Sequence, residues 1–423
     1  MTEYELADLD RFLRAARWFG GKGRGHTLTD VSAIALTDDL VVAFASVAYD
    51  DGTQESYQLP LARRIGTGPP VTGEWYDATH DPTAMAEFLR RFDTGEIGPV
   101  FAFHKMPGAS LDPGAKARVF SGEQSNTTVM FGDQGAFKIF RKLADPSEVL
   151  ENPDIEIHRA LTTANCPYVA HLLGWLDAHI DGSTVQLGVL QEFLREARDG
   201  WPLALNALRT GADFADEARA LGVAVRGVHM ALADCFGVTR LDTGSIAAAM
   251  QERLRVTTAA VPALAAHSPA LAEVFEGFGS TASVAATRVH GDLHLGQTLL
   301  TSDGWKVGDF GGGPAKWLAE RVCPDSPWRD VAGMLRSFDY AARSVAKESP
   351  ESTDDLLEAA ELLRQAFLDG YLGGRAATPA EQNLLDVYEA DKAVYEVLYE
   401  ARNRPTWIDI PLNALSRVAG GQR

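Results

Sequence analysis

The string His290-Gly291-Asp292-Leu293-His294-Leu295-Gly296-Gln297, with Asp309-Phe310-Gly311 behind it, restricts this chain more than any other part of it. Asp292 is a carboxylate that can position and deprotonate a hydroxyl nucleophile. Gln297, five positions on, offers an amide oxygen, and Asp309, 17 positions after Asp292, offers a second carboxylate. Both are ligands suited to Mg²⁺, a hard ion that prefers oxygen. Phosphoryl transfer from ATP needs these groups and little covalent chemistry beyond them. Asp-Phe-Gly alone is a common tripeptide; its place after the first string gives it weight. His290 is expected to prop the loop, and His294 is a second candidate for that task.

The chain must then supply a nucleotide-binding part, and its organisation fits. At 423 residues it is long enough for about two to three domains. Residues 1–111 read as a separate small module, with strands at Leu28–Leu36, Leu40–Val47 and Gln54–Leu61 and a helix opened by Asp81-Pro82. A strand at Val100–His104 follows, and Pro107-Gly108 through Pro113-Gly114 marks a boundary. Residues 112–195 read as a strand-rich lobe, which the family resemblance described below makes the ATP-binding subdomain, with strands at 117–120, 127–131, 136–140 and 185–193 and a helix from Asn152-Pro153. Residues 196–423 are mostly helical, with amphipathic stretches at 214–233, 246–256, 327–345, 354–371 and 379–402.

Lys138 alternates with Phe137 and Ile139 on one of these strands, and Glu156 lies on the helix that follows. A lone strand lysine is usually a solvated residue. With the catalytic block downstream, the pair reads as the lysine that meets the α- and β-phosphates and the glutamate that orients it. The loop Ser121–Thr127 lacks a GxGxxG or Walker A pattern. Its backbone amides and the hydroxyls of Ser121, Ser125 and Thr127 remain candidates to cover the phosphates. Gln191 and Phe193 end an apolar strand that reads as a hinge whose backbone meets adenine.

Composition excludes some partners. Net charge is −19, which argues against nucleic acid, since phosphate backbones call for basic stripes. Cys166, Cys235 and Cys323 are too scattered for a disulfide framework or zinc site. No apolar run approaches the ~20 residues that span a bilayer. The expectation is a cytoplasmic protein with small-molecule partners, no membrane contact and no obligate protein partner.

Together these features resemble the aminoglycoside-phosphotransferase-like kinases, and more closely their actinobacterial maltokinase-like branch. The resemblance rests on Arg17–Arg24, Asn152–Glu156, Gln191–Leu194, His290–Gln297 and Arg329–Tyr340, then Tyr395-Glu396, Arg402–Pro405, Trp407 and Ile410–Leu412. It implies an α+β, bilobal, eukaryotic-protein-kinase-like fold with an N-terminal cap subdomain, using ATP and Mg²⁺. By the same resemblance Asp292 is the base, Gln297 and Asp309 hold the metal, and Lys138 and Glu156 form the phosphate-orienting pair.

The departures bear on the acceptor. Maltokinases read Asp-Phe-Glu-Gly-Glu-Pro where this chain has Asp309-Phe310-Gly311-Gly312-Gly313-Pro314, and Trp317, Trp328 and Asp409 are also atypical. The chain looks more like the glucosamine kinases, which make glucosamine 6-phosphate. The alternative is maltokinase activity, making maltose 1-phosphate. An amino sugar's ammonium calls for a carboxylate, because an unpaired buried charge is costly. Glu396 and Asp409 are the candidates, with Trp407 offering a face to the sugar C–H groups. Asp409 reads equally as a helix cap, and Glu396 also reads as a helix-face charge. Arg336 and Asp339, three apart on one helix face, either reach the site or pair with each other.

Overall fold

Alternating apolar residues lay down an antiparallel sheet at the start of the chain: β1 (His26–Thr37), β2 (Leu40–Tyr49), β3 (Gln54–Ala62), β4 (Pro70–Thr72) and β5 (Trp75–Asp77). Its order is β1-β2-β3-β5-β4. Thr37 pairs with Leu40 across the Asp38-Asp39 turn, which fixes the register of the first hairpin. The computed structural model describes residues 3–63, 68–120, 126–143, 151–180, 182–281, 283–311, 321–348 and 352–419.

A second antiparallel sheet contains β6 (Phe101–Lys105), β7 (Ala117–Val119), β8 (Thr127–Phe131), β9 (Gly135–Ile139), β11 (Leu172–Ile180) and β12 (Ser183–Glu192). Its order is β6-β11-β12-β9-β8-β7. The short β10 (Lys142–Leu143) leaves this sheet and pairs with β3 of the first. The strand at β6, assigned from sequence to the cap, is therefore an edge of the second sheet. β11 had no counterpart in the sequence reading. Gly174 and Asp177 interrupt its alternation, and Gly174 is needed because a Cβ there would lie 2.2 Å from the His104 carbonyl oxygen.

Between the sheets runs the helix Pro82–Thr94. Asp81 caps it by accepting from Thr83 and Ala84 N–H at 2.8 and 3.3 Å, and Gly95 ends it at φ 62°. Met85, Phe88, Leu89 and Phe92 face the core that both sheets share. Phe92 meets Phe103 and Phe137, each with ring centroids 5.1 Å apart. Each such side chain contributes about 1.5–3 kcal/mol through burial.

The chain divides into two compact units, Met1–Arg159 with Ala170–Arg195, and Ala160–Val169 with Glu196–Arg423. The first holds both sheets and the helix Pro153–Thr163 up to Arg159. Within it, Arg141 ties the cap to the second sheet. Its Nε donates to Thr127 Oγ1 at 2.8 Å, one Nη to Asp77 Oδ2 at 2.8 Å, and Trp18 lies 4.9 Å beneath its guanidinium.

The second unit is helical, with small sheets formed by β13 (Arg198–Asp199), β16 (Thr298–Thr301) and β17 (Gly304–Val307), and by β14 (Thr239–Leu241) and β15 (Val284–Ala286). The helix Pro379–Asn403 starts at a capping box in which Thr378 and Glu381 satisfy each other's backbone N–H groups. Its Leu385, Tyr388, Val394 and Val397 join a core with Leu264, Phe275, Phe278 and Ala332. The helix Pro327–Ala346 is capped by Ser326 and buried along most of its length. Among the described residues no helix is long and apolar enough to cross a membrane.

Candidate active site

The His290–Gln297 loop is held from below by the helix Pro327–Ala346. Asp330, in that helix's first turn, accepts from the N–H groups of His290 and Gly291, each at 2.8 Å. His229 Nε2 donates to the same carboxylate at 3.1 Å, and its Nδ1 meets the Tyr371 hydroxyl at 3.0 Å. Burial disfavours the Asp330 anion, but these donors outweigh it and leave the carboxyl below its ordinary value. Further along, Leu295 N–H donates to Ser337 Oγ at 3.1 Å. Gly333 lets helix and loop meet: a Cβ there would lie 2.6 Å from the Leu293 carbonyl oxygen.

His290 locks the loop to the strand that precedes Asp309. Its Nε2 lies 2.8 Å from the Gly308 carbonyl oxygen, and its Nδ1 accepts the Asp292 N–H at 3.3 Å. An acceptor on one nitrogen and a donor on the other require the neutral tautomer with the proton on Nε2. His290 therefore props the loop. His294 accepts the Gly296 N–H at 3.1 Å, and burial pushes its pKa down to about 4, so it is neutral near pH 7.

Asp292 stands on this frame. Its Oδ1 accepts from Lys392 Nζ at 2.8 Å, and the two side chains are 21% and 25% exposed. Burial pushes the Asp292 carboxyl up, the Lys392 ammonium pulls it down, and the balance lies below the ordinary carboxylate value. Asp292 is thus a carboxylate at neutral pH.

Gly308 N–H donates to the Gln297 carbonyl oxygen at 3.0 Å, so the backbone brings Gln297 beside Gly308-Asp309. Asp309 is exposed and has φ 61°, in the left-handed region. That conformation costs a non-glycine residue about 1–3 kcal/mol and persists only where surroundings impose it. Phe310, buried behind it, packs 5.0 Å from the His290 ring. An amide and a carboxylate on neighbouring backbone suit Mg²⁺, which takes one or two protein ligands and draws the rest from phosphates and water.

In the first unit, Lys138 Nζ donates to Asp154 Oδ2 at 3.0 Å. Asp154 also lies 3.1 Å from His158 Nδ1. Burial opposes its ionisation, and the Lys138 and His158 charges reverse that effect and hold it well below the carboxylate range. Glu156, the carboxylate expected from the sequence, lies two positions further along the same helix; Asp154 was not singled out there. Ser121 and Ser125 lie outside the described residues. Gln191 sits on β12, paired with Ala136. Phe193 follows the strand, and its N–H donates to the Gln134 carbonyl oxygen at 3.2 Å. That N–H is thereby engaged within the unit.

The acceptor candidates fall into different settings. Glu396, one turn after Lys392, takes a hydrogen bond from Arg336 Nη2 at 2.6 Å. Arg336 also donates to Asp339 at 2.5 Å, so the pairing foreseen for Arg336 and Asp339 is present and extends to Glu396. Trp407 stacks on Tyr340 with centroids 6.0 Å apart and planes at 12°, and Arg404 and Lys347 lie 4.9 and 5.2 Å from its ring centre. Its ring is thus already engaged by neighbouring side chains. Asp409 is exposed in the first turn of the helix Asp409–Ala419, where its charge complements the helix dipole.

Lys392 and Asp330 were not singled out from the sequence. The signal available for Asp330 was its place in the Arg329–Tyr340 string; Lys392 had none beyond its helix.

Fold and sequence both have counterparts among known proteins. Residues 12–81 match the maltokinase N-terminal cap domain. The chain shares its fold with solved glucosamine kinases. The particular likeness is to glucosamine kinases. One solved glucosamine kinase, in complex with glucosamine, ADP and inorganic phosphate, superposes with a TM-score of 0.71 at 22% identity, covering 99% of both chains. Another crystal form gives 0.73 at 23% identity, covering 99% of this chain and 100% of that one. In sequence, the glucosamine kinase of Streptacidiphilus jiangxiensis is 27% identical over 347 residues, 77% of this chain and 78% of the relative. That of Mycolicibacterium smegmatis is 26% identical over 311 residues, 69% and 77% of the two chains.

Proposed function

We propose that this chain is an ATP-dependent kinase that phosphorylates glucosamine to glucosamine 6-phosphate in the cytoplasm, with Mg²⁺ as its metal. The observation that carries the reading is Asp292, an ionised carboxylate on a braced loop beside the Gln297 and Asp309 pair. The near full-length likeness to a glucosamine kinase seen with glucosamine and ADP supports the choice of acceptor.

In this reading Asp292 accepts the proton of the sugar 6-hydroxyl. The oxygen attacks the γ-phosphorus as the bond to the ADP oxygen breaks, and the proton ends on Asp292. Lys138, held by Asp154, meets the α- and β-phosphates, with Glu156 on the same helix as an orienting carboxylate. Ser121, Ser125, Gln191 and Phe193 are assigned to the nucleotide. Gln297 and Asp309 would hold Mg²⁺, which neutralises phosphate charge when bound. Among acceptor residues, Glu396 shares its charge with Arg336, which leaves the exposed Asp409 better placed to meet an ammonium. Trp407 is proposed to border the sugar. Three free cysteines suit a reducing compartment.

A nucleotide-release assay across glucosamine, glucose, maltose and aminoglycosides tests the assignment. Glucosamine is expected to be the preferred acceptor. Turnover of maltose with glucosamine untouched replaces this reading with a maltokinase one.

A further inference from the structure

Lys392 contacts the reacting carboxylate, and nothing in the chemistry assigned so far uses it. We propose that Lys392 is a positioning residue for phosphoryl transfer: it pins Oδ1 of Asp292 so that the other oxygen is left aimed at the acceptor hydroxyl. The inference rests on the kinase reading and deepens it.

Three contacts define how Asp292 stands. Its N–H is bound by His290 Nδ1 at 3.3 Å, His290 is itself fastened to the Gly308 carbonyl at 2.8 Å, and Oδ1 is bound by Lys392 Nζ at 2.8 Å. The first two fix the backbone. They leave the carboxylate free to rotate, and among the described residues the third contact is the one that holds it. A base must lie within hydrogen-bond reach of the proton it takes, in one orientation.

The lysine is well anchored for this task. It springs from the middle of the helix Pro379–Asn403, between Asp391 and Ala393, both buried. Asp391 is gripped by Arg253 and, at 3.3 Å, by Arg329. The Lys392 ammonium lies 5.3 Å from the centre of the Tyr395 ring. Glu396, one helical turn on, is the competing carboxylate for Lys392, and its charge also acts on the ammonium. Arg336 claims Glu396 at 2.6 Å, so Lys392 is not drawn away from Asp292. Among the described residues, the other titratable groups near Asp292 include His290 and His294 of its own loop and Tyr395 of the helix. His294 is neutral near pH 7. His290 is fixed in its neutral form by its two hydrogen bonds. Neither supplies a cation that could replace Lys392.

An ordinary exposed ion pair would matter little to either stability or rate. This pair is three-quarters covered, and it joins the catalytic loop to a helix 100 residues later in sequence. Its position on the base, rather than its strength, is the reason to expect a kinetic effect.

The test uses the full chain, with wild type, Lys392→Met and Lys392→Arg assayed with glucosamine and ATP. Misplacing a reacting group by about 1 Å costs on the order of a hundredfold in rate, so kcat of Lys392→Met should fall by about that factor. Its KM and calorimetric Kd for ATP should stay within about threefold of wild type, because a transition-state interaction has been removed and not a ground-state one. Lys392→Arg, which keeps the charge, should recover about tenfold of the loss. The acid limb of the kcat–pH profile should move to higher pH in Lys392→Met, since burial of Asp292 is then unopposed by the ammonium. A kcat within about fivefold of wild type overturns the proposal. So does a loss that comes with equally weakened ATP binding, no recovery by arginine and an unmoved acid limb, which is the pattern of a merely structural residue. Wild-type protein that turns over no glucosamine defeats the function reading itself, and this inference with it; that failure is visible before any variant is made.

Discussion

Each unit of the molecule carries a lysine–aspartate pair, and the two pairs are built in opposite senses. In the first, Asp154 is buried and shared with His158, while Lys138 is the more exposed member at 21% against 4% for the aspartate side chain. In the proposed reading the aspartate is the anchor and the lysine is the group that meets the phosphates. In the second, Asp292 and Lys392 are covered to nearly the same degree, 21% and 25% exposed. There the lysine rises from a largely buried helix, and the aspartate is the member proposed as the base. On that proposal the same kind of ion pair serves a cation in one place and an anion in the other.

The comparison breaks most directly at the reacting anion. Asp292→Asn keeps the shape of the side chain and removes its basicity. We expect kcat to fall by about 10³-fold or more with ATP binding by calorimetry retained; a variant with a tenth of wild-type kcat would remove Asp292 from its role. Lys138→Met should mainly weaken nucleotide use, lowering kcat/KM for ATP by about a hundredfold while the KM for glucosamine changes little. If the acceptor KM moves instead, the first pair has been misread. Asp154→Asn should have the same signature at about a tenth of that size, because it acts through Lys138.

Smaller effects concern the frame. Asp330→Ala strands two backbone N–H groups and His229, and should cost about 3–5 kcal/mol in urea denaturation; a loss under about 1 kcal/mol would mean that water or a neighbour replaces the carboxylate. Stability should also depend on acid in a definite sense. Despite burial, which favours the protonated form, Asp330 is held below its ordinary value by its donors. Its contribution is therefore complete above the unfolded carboxylate value of about 4 and is lost as pH falls through the folded value. Urea midpoints at pH 7, 5 and 3 for wild type and Asp330→Asn check this: the gap between the two proteins should close toward pH 3.

Much of this was legible in the chain before its fold was known. Asp81-Pro82 opens a helix of the kind that such residues favour, and the amphipathic stretch 379–402 forms the helix Pro379–Asn403. The catalytic loop was readable because its chemistry sits in consecutive residues. Lys392 was not, since its partner lies 100 positions away and a lysine on a helix face usually meets only water. Asp330 was hidden differently: an aspartate in a helix's first turn already has a local reason to be there. β11 was missed because Gly174 answers to the neighbouring strand's carbonyl and not to any local pattern. In each case the deciding contact is long-range, and periodicity carries no record of it.

Arg141 has a consequence for how the chain can be divided. The cap-domain match ends at residue 81, which invites a cut there. Yet Asp77 and Thr79 both lie within reach of the Arg141 guanidinium, and the Trp18 ring lies beneath it. Severing the cap would leave an almost wholly buried cation without its carboxylate and would lay open one wall of the core that the two sheets share. The seam between inherited modules is therefore not a fault line of folding, and a truncation at that point should yield insoluble protein, not a smaller enzyme.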